Sequence, residues 1–441
     1  MVVVLAILAL LMSICVTATQ SSGFTFTRER LRRSEILAQR GSGTSEVEAI
    51  LSGSSWITSI TVGSQVLRVQ IDTGSSALWL ISTLSDEATK TSFPTHKYFD
   101  PSKSPTWQLQ PDLKFNTSYD IGEEGSFGVV GTETVELGGV TVTDMLVGAA
   151  THVYGGTGAL DPTYDGIMGL GWGMSSDDFS SGNSSSIQAP TFMEVAQSQL
   201  SEPVFTCDLR ANEPETISFG FVNSSLYTGS LSKLSIDNST GDWLVNNVTF
   251  SSGDEELGLS TGLTVIFDTG GLGTTVDAQT AEDYWGLISG SNISSDQVWS
   301  FPCNTAALPD LTLSFPGGAE ATLSGLALNG TAESSDGVTC IGGLQIAKNG
   351  VFNVGNSFFG NYFTVWNQQE LSFSFAPYSR VRPTAMSAGP TSPTGLPSNS
   401  AAATSTVSLP APTIMDQNTA GTLSNIPVLG LMIMAMSIWT I

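Results

Sequence analysis

The sequence predicts an all-β protein, mostly antiparallel and built from two similar lobes. Three observations carry that prediction. Charged residues make up only 12% of the chain while Ser, Thr and Gly are abundant, a mix that suits short strands and many turns. Apolar and polar residues alternate with a period of two in several segments. The tripeptide Asp-Thr-Gly occurs at Asp72-Thr73-Gly74 and again at Asp268-Thr269-Gly270, each time closing a β-branched, aliphatic run. Average residue usage predicts roughly 0.1 chance copies in a chain of this length. Two copies in matching contexts, one per half, therefore point to a duplicated lobe and a pair of facing carboxylates. Two carboxylates that share a proton can hold and activate a water molecule. A length of 441 residues also exceeds one ordinary core.

The elements follow in order. Residues 2–16 are an apolar run of signal-peptide length, and Val16-Thr17-Ala18 offers small residues for cleavage, so residues 1–18 read as a signal peptide. A membrane helix is the alternative, for which the run is short. A basic cluster follows at Arg28, Arg30, Arg32, Arg33 and Arg40. With its dibasic Arg32-Arg33, the segment 19–40 reads as a propeptide whose cations could cover an acidic cleft; a solvated amphipathic helix is the other reading. Residues 41–225 are assigned to an N-terminal lobe. There Ile60-Thr61-Val62, Gly63-Ser64 and the alternating Leu67, Val69 and Ile71 predict a hairpin that feeds Asp72. Ala77-Leu78-Trp79-Leu80-Ile81 reads as a buried strand, and residues 126–147 as more strand with a turn at Gly138-Gly139. Residues 177–186 read as a surface loop. Residues 190–200 give the best helix, with Phe192, Val195 and Ala196 on one face. Residues 226–380 are assigned to a C-terminal lobe, with strand 263–267 leading to Asp268, a helix around 278–287 and strands as far as Phe375.

Composition changes after residue 380. The segment 381–418, rich in Ser, Thr, Pro and Ala, cannot bury a core and reads as an extended, O-glycosylated stalk. Residues 426–441 are almost wholly apolar, and no Lys or Arg follows Arg382. That suits a removable GPI-attachment signal over 419–441, with Asn418 as the attachment residue, better than a spanning helix with basic flanks. Asn-x-Ser/Thr sequons at Asn116, Asn183, Asn223, Asn238, Asn247, Asn292 and Asn329 read as N-glycosylation sites and support a secretory route. The expected location is the extracellular face of the cell membrane, GPI-anchored, or the cell wall.

Charge narrows the function classes. The chain has 40 Asp+Glu against 15 Lys+Arg, so nucleic acid is not an expected partner. The acidity reads either as solubility at neutral pH or as adaptation to acid, where protonation relieves self-repulsion. Of 4 cysteines, Cys15 lies in the leader and Cys207 reads as a buried strand thiol. Cys303 and Cys340 are 37 residues apart; joined, they would stabilise the fold by about 4 kcal/mol on the loop-entropy model. Only two histidines and no Cys-x-x-Cys are present, so no metal is expected. His96 and His152 read as surface residues, and no Gly-x-Ser-x-Gly elbow accompanies them. Asp177-Asp178 and Asp254-Glu255-Glu256 read as solvated loops.

Taken in order, these pieces resemble the pepsin family of aspartic proteases over residues 54–378, and the propeptide and tail resemble those of fungal GPI-anchored, yapsin-like members. The resemblance rests on Asp72-Thr73-Gly74-Ser75-Ser76-Ala77-Leu78-Trp79, on Asp165-Gly166-Ile167-Met168-Gly169-Leu170-Gly171, on Leu226-Tyr227-Thr228-Gly229-Ser230-Leu231, and on Val354-Gly355-Asn356-Ser357-Phe358-Phe359. It implies a bilobal acid-protease fold with a cleft between pseudo-symmetric lobes, a Cys303–Cys340 disulfide, and a zymogen that acts as a monomer without cofactor or metal. The implied activity is endopeptidase cleavage of peptide or protein substrates at acidic pH, with Asp72 and Asp268 as the catalytic pair. Like charges so close cannot both ionise cheaply, a behaviour for which aspartic proteases are the standard example. Thr73 and Thr269 are implied to cross-link the two loops, Gly74 and Gly270 to permit close approach, and Ser75 to bond the first carboxylate. Tyr119 is the implied flap tyrosine, with the Trp79 indole as its partner. Glu123 and Glu124, on that flap, are expected to lie near substrate and favour basic peptides.

Two positions depart from the family pattern. Gly271-Leu272 stands where Ser or Thr is usual, and Asn356 replaces an acidic residue. Losing one hydrogen bond to a carboxylate costs about 1–3 kcal/mol, and a pKa unit is about 1.4 kcal/mol, so the pKa of Asp268 is expected to rise by about one or two units. A water or Thr274 is expected to compensate. The same departures keep an alternative open: a catalytically silent pepsin-fold protein serving as a cell-surface binding or cell-wall interaction module.

Overall fold

A computed structural model describes the protein over residues 41–379, except 51–54, 120–123, 156–159, 174–178, 182–186, 188, 211–214, 272, 333–337 and 349. The expected signal peptide, propeptide, stalk and GPI signal lie outside the described residues, as do Glu123, Asp177, Asp178, Asn183, Leu272 and Asn418.

Short strands dominate the described residues and form sheets of 14, 8 and 4 strands. The hairpin leading to the first Asp-Thr-Gly pairs Ser55–Val62 with Gln65–Asp72, Ile60 opposite Leu67. Gly63 turns the chain at φ 60°, a left-handed conformation that glycine adopts without a Cβ clash. Leu67, Val69 and Ile71 face the core at 1% exposure or less, so the period-two pattern places Asp72 at the end of a buried strand. The longest hairpin pairs Glu124–Leu137 with Val140–Tyr154 through Gly138 and Gly139.

One topological motif occurs twice. Gln65–Asp72 pairs in parallel with Gly166–Gly169, which pairs antiparallel with Leu78–Ile81, the strand just after the first Asp-Thr-Gly. Leu78–Ile81 in turn runs parallel to Val140–Tyr154. In the second half, Leu263–Phe267 pairs in parallel with Phe352–Val354, which meets Thr274–Val276 antiparallel; that strand runs parallel to Leu344–Ile346. Each Asp-Thr-Gly is thus a loop between two strands that clasp a third. This repeat is the two-lobed, pepsin-like all-β arrangement that the resemblance implies. The sheets are mixed at the two motifs and antiparallel over most of the rest.

The largest sheet joins the two halves of the chain, because Val204–Asp208 pairs with Tyr362–Asn367. Behind it lies an aromatic core. Phe205 stacks on Trp366 at 5.4 Å, Trp366 meets Trp243 at 4.9 Å, and Phe373 stacks on Phe267 at 4.2 Å. Burying one such ring removes on the order of 200 Å² from water, an upper bound of about 5 kcal/mol. Phe267 immediately precedes Asp268, so this packing anchors the second loop.

Several expectations need correction. Residues 190–200 form an α-helix only over Phe192–Ala196, then tighten into the 3-10 turn Gln197–Gln199. Its start is held by Thr191 and Glu194, whose side chains each accept from the other's backbone N–H. Phe192, Met193 and Ala196 are buried while Val195 is 36% exposed, so a helix this short buries a face that includes Met193 and leaves Val195 outside. Segment 177–186 is not simply a surface loop: Phe179–Ser181 pairs with the strand Gln108–Tyr119, and the buried Phe179 ring lies 5.8 Å from Phe115. His96 is buried rather than exposed, 3.9 Å from Asp165 and edge-on to Phe93. Its desolvation lowers the imidazole pKa, with the Asp165 charge opposing. His152 is half-buried, stacked on Phe127 and 2.7 Å from Asp86.

Cys303 and Cys340 are joined, their Cα atoms 5.0 Å apart, beside the adjacent strands Trp299–Pro302 and Thr339–Gly342. Cys207 is a buried strand thiol whose pKa burial pushes up to about 12. Asn116, Asn247, Asn292 and Asn329 are exposed, whereas Asn223 and Asn238 are half-buried; Asp254, Glu255 and Glu256 are exposed.

Candidate active site

The strand Gln65–Asp72 delivers Asp72 and the strand Leu263–Phe267 delivers Asp268 to the same place. Two threonines lock the loops together. The Thr73 hydroxyl donates to Phe267 O at 2.9 Å and accepts from Thr269 N at 2.9 Å. Reciprocally, the Thr269 hydroxyl donates to Ile71 O at 2.9 Å and accepts from Thr73 N at 3.0 Å. Both side chains are fully buried, so these four bonds satisfy backbone groups that have no water to turn to.

The following glycines bring the carboxylates face to face. A Cβ on Gly74 would stand 2.6 Å from Asp268 Oδ1, and one on Gly270 would stand 2.5 Å from Asp72 Oδ1. Neither position has a positive φ; glycine is required here by close approach alone. Gly74 N donates to Asp72 Oδ1 at 2.9 Å, and Gly270 N donates to Asp268 Oδ1 at 2.7 Å. From behind, Leu170 N donates to Asp72 O at 2.7 Å and Asp268 N donates to Val354 O at 3.1 Å. Leu170, just past the strand Gly166–Gly169, and Val354, at the end of the strand Phe352–Val354, therefore hold the two aspartates by their backbone.

The outer oxygens are treated differently. Asp72 Oδ2 accepts from the Ser75 hydroxyl of its own loop. Asp268 Oδ2 accepts from Asn353 Nδ2 at 3.1 Å. The expected compensation by Thr274 does not occur: its hydroxyl pairs with that of Ser357 at 2.7 Å. Asn353 was absent from the candidates read from sequence. Its signal was a lone amide in the otherwise apolar run Phe352-Asn353-Val354 ahead of Gly355. Asn356 N donates to Gly271 O at 3.1 Å.

Both carboxylates are buried, and burial raises both pKa values. For Asp72 this is opposed by the Ser75 hydroxyl, by Asp268 and by Gly74 N–H. For Asp268 burial is reinforced by the Asp72 charge and the hydrogen bond shared with Asp72 and opposed by the Gly270 N–H, and its pKa stands well above the ordinary value. The two carboxylates cannot both ionise cheaply, and Asp268 is the one raised further. A third carboxylate faces the pair: Asp242, which burial pushes up to about 6 against the pull of the Thr240 hydroxyl, 2.7 Å away. Among the described residues, no group of three or more His, Cys, Asp or Glu is placed to hold a metal ion.

Trp79 Nε1 donates to Tyr119 OH at 2.8 Å. Tyr119 ends the strand that pairs with Glu124–Leu137, and the turn between them lies outside the described residues. Glu124, expected near substrate, is 4% exposed and packs where a Gly155 side chain would be.

Residues 55–378 match the family model described as eukaryotic aspartyl protease. The chain is 32% identical over 325 residues to penicillopepsin-1 of Penicillium janthinellum, covering 73% of this chain and 94% of that protein. It is 33% identical over 330 residues to endothiapepsin of Cryphonectria parasitica, with 74% of each chain covered. It is 32% identical over 314 residues to an aspartic protease, pepA, of Leptosphaeria maculans, covering 70% of this chain and 71% of that one.

Proposed function

This chain belongs to the eukaryotic aspartyl protease family, and from that premise we propose that it is a secreted endopeptidase, active at acidic pH, in which Asp72 and Asp268 share one proton and activate one water. The observation that carries the reading is the reciprocal approach of each glycine to the opposite carboxylate, together with the unequal environments that leave the proton on Asp268.

In the reaction, a water between the carboxylates gives a proton to ionised Asp72 as its oxygen attacks the peptide carbonyl carbon. The Asp268 proton passes to the carbonyl oxygen, so a neutral tetrahedral diol forms without a covalent enzyme bond. The proton on Asp72 then passes to the amide nitrogen, the C–N bond breaks, and one diol O–H returns its proton to Asp268. Water is consumed, one acid and one amine are released, and both carboxylates recover their starting states. Tyr119, tied to Trp79, closes the flap over the substrate and fixes its orientation.

The same reading takes residues 1–18 as a signal peptide, 19–40 as a propeptide and 381–418 as a stalk. It takes 419–441 as a GPI signal with attachment at Asn418, and it makes the sequon asparagines glycan acceptors. Release from membranes by a phosphatidylinositol-specific phospholipase tests the anchor. The alternative, a silent surface-binding protein, draws on Gly271, which supplies no hydroxyl to Asp268. One assay separates the two: cleavage of a denatured protein by processed material across pH 2–7, with and without pepstatin, beside Asp72→Asn. Pepstatin-sensitive cleavage confined to acid and abolished by Asp72→Asn is expected. Activity that survives Asp72→Asn eliminates the mechanism, and no activity in the parent favours the silent protein.

A further inference from the structure

We infer that Asn353 is the positioning residue for Asp268, its side-chain N–H taking the place of the hydroxyl that Gly271 lacks; the inference rests on the protease reading above. Four observations converge. Asn353 Nδ2 lies 3.1 Å from Asp268 Oδ2, and both side chains are buried. A Cβ at Gly271 would lie 3.0 Å from that same Oδ2, so a hydroxyl at position 271 and the amide at 353 would serve one oxygen. The nearby threonines are committed elsewhere: Thr274 to Ser357, and Thr275, which accepts from Asn353 N at 2.9 Å, to Val351 O. Finally, Asn353 Oδ1 is buried and has no hydrogen-bond partner among the described residues. A leucine would fill this core position without that penalty, so the amide is explained by what its N–H does for Asp268.

The arrangement makes the two aspartates unlike in origin as well as in charge. Asp72 is oriented from its own loop by Ser75, three residues on. Asp268 is oriented from a different strand, 85 residues on, and correct aim depends on the parallel pairing that sets Ile266 beside Asn353. An N–H donor favours the ionised carboxylate, so Asn353 limits how far the pKa of Asp268 climbs. The titratable groups facing Asp268 are Asp72 and Asp242, and Tyr164, whose proton is held by burial, faces Asp72.

The test uses Asn353→Leu, Gly271→Ser and the double variant, each as processed full-length protein, with kcat/KM for a peptide substrate measured over pH 2–7 and thermal unfolding followed alongside. Position 271 has no positive φ, and a serine Cβ there requires the Asp268 carboxylate, 3.0 Å away, to give by a few tenths of an ångström. For Asn353→Leu, Tm is expected to stay at or above the parent's while the alkaline limb of the profile moves up by about one pH unit, as loss of one hydrogen bond to a charge implies. Adding Gly271→Ser is expected to bring that limb back. An active parent whose profile is unchanged by Asn353→Leu overturns this inference alone, as does a shift that Gly271→Ser does not reverse. A parent without pepstatin-sensitive cleavage removes the protease reading and this inference with it.

Discussion

Thr73→Ala is the substitution whose effect follows most directly from the geometry. It deletes one hydroxyl that serves two backbone groups of the opposite loop, Phe267 O and Thr269 N. Both lose their partner in a place without water, since Thr73 and Thr269 are 0% exposed. A buried polar group left unpaired costs about 1–3 kcal/mol, so two cost roughly 2–6 kcal/mol. Against a total stability of about 5–15 kcal/mol, that is a large fraction. Thr73→Ser keeps both bonds and loses only a methyl, for about 1 kcal/mol. The assay is urea unfolding of both variants in an Asp72→Asn background, which suppresses self-digestion. The expected result is a much lower midpoint for Thr73→Ala than for Thr73→Ser. Equal midpoints would refute the reasoning, because the cross-linking hydroxyl would then contribute nothing beyond its methyl neighbour.

Gly270→Ala places a Cβ 2.5 Å from Asp72 Oδ1; the carboxylate must move, and kcat/KM is expected to fall on the order of a hundredfold in a steady-state peptide assay, while the fold survives by circular dichroism. Glu215 is buried between strands, and burial pushes its pKa up to about 7 from an ordinary 4.5. A raised folded-state pKa contributes stability that is present below about 4.5 and lost as pH rises through about 7. The protein is therefore expected to unfold more readily at pH 7 than at pH 4, and Glu215→Gln is expected to flatten that dependence in thermal scans. Trp79→Phe removes the donor to Tyr119 OH. Peptide kinetics should show kcat/KM reduced by about fivefold, the equivalent of one neutral hydrogen bond, and because Trp79 is fully buried the smaller ring is also expected to lower Tm.

Much of this architecture could be read from local pattern. The hairpin into Asp72 was legible because alternation and Gly63 both act within a few residues. The aspartate loops were legible because Asp-Thr-Gly needs its glycine for a carboxylate to approach. Val195 was misjudged because five residues of helix do not establish a period, and Phe179 because a single buried ring was outweighed by its polar neighbours. His96 and Asn353 were missed for a different reason. Their partners, Asp165 and Asp268, lie 69 and 85 residues away in sequence, and Asn353 meets Asp268 only through the parallel pairing of their strands. Parallel register depends on contacts between distant segments, and nothing in the adjacent residues reports it.

The central claim is that two buried carboxylates from opposite halves of the chain hold one proton between them. Carbon-13 NMR of carboxyl-labelled aspartates, followed from pH 2 to 7 with Asp72→Asn and Asp268→Asn for assignment, tests it without relying on turnover. Two separated steps are predicted, Asp72 ionising first and Asp268 well above the ordinary carboxylate range, with the Asp268 step moving down once Asp72 is neutral asparagine. A single, independent titration of both groups near the ordinary aspartate value would contradict it.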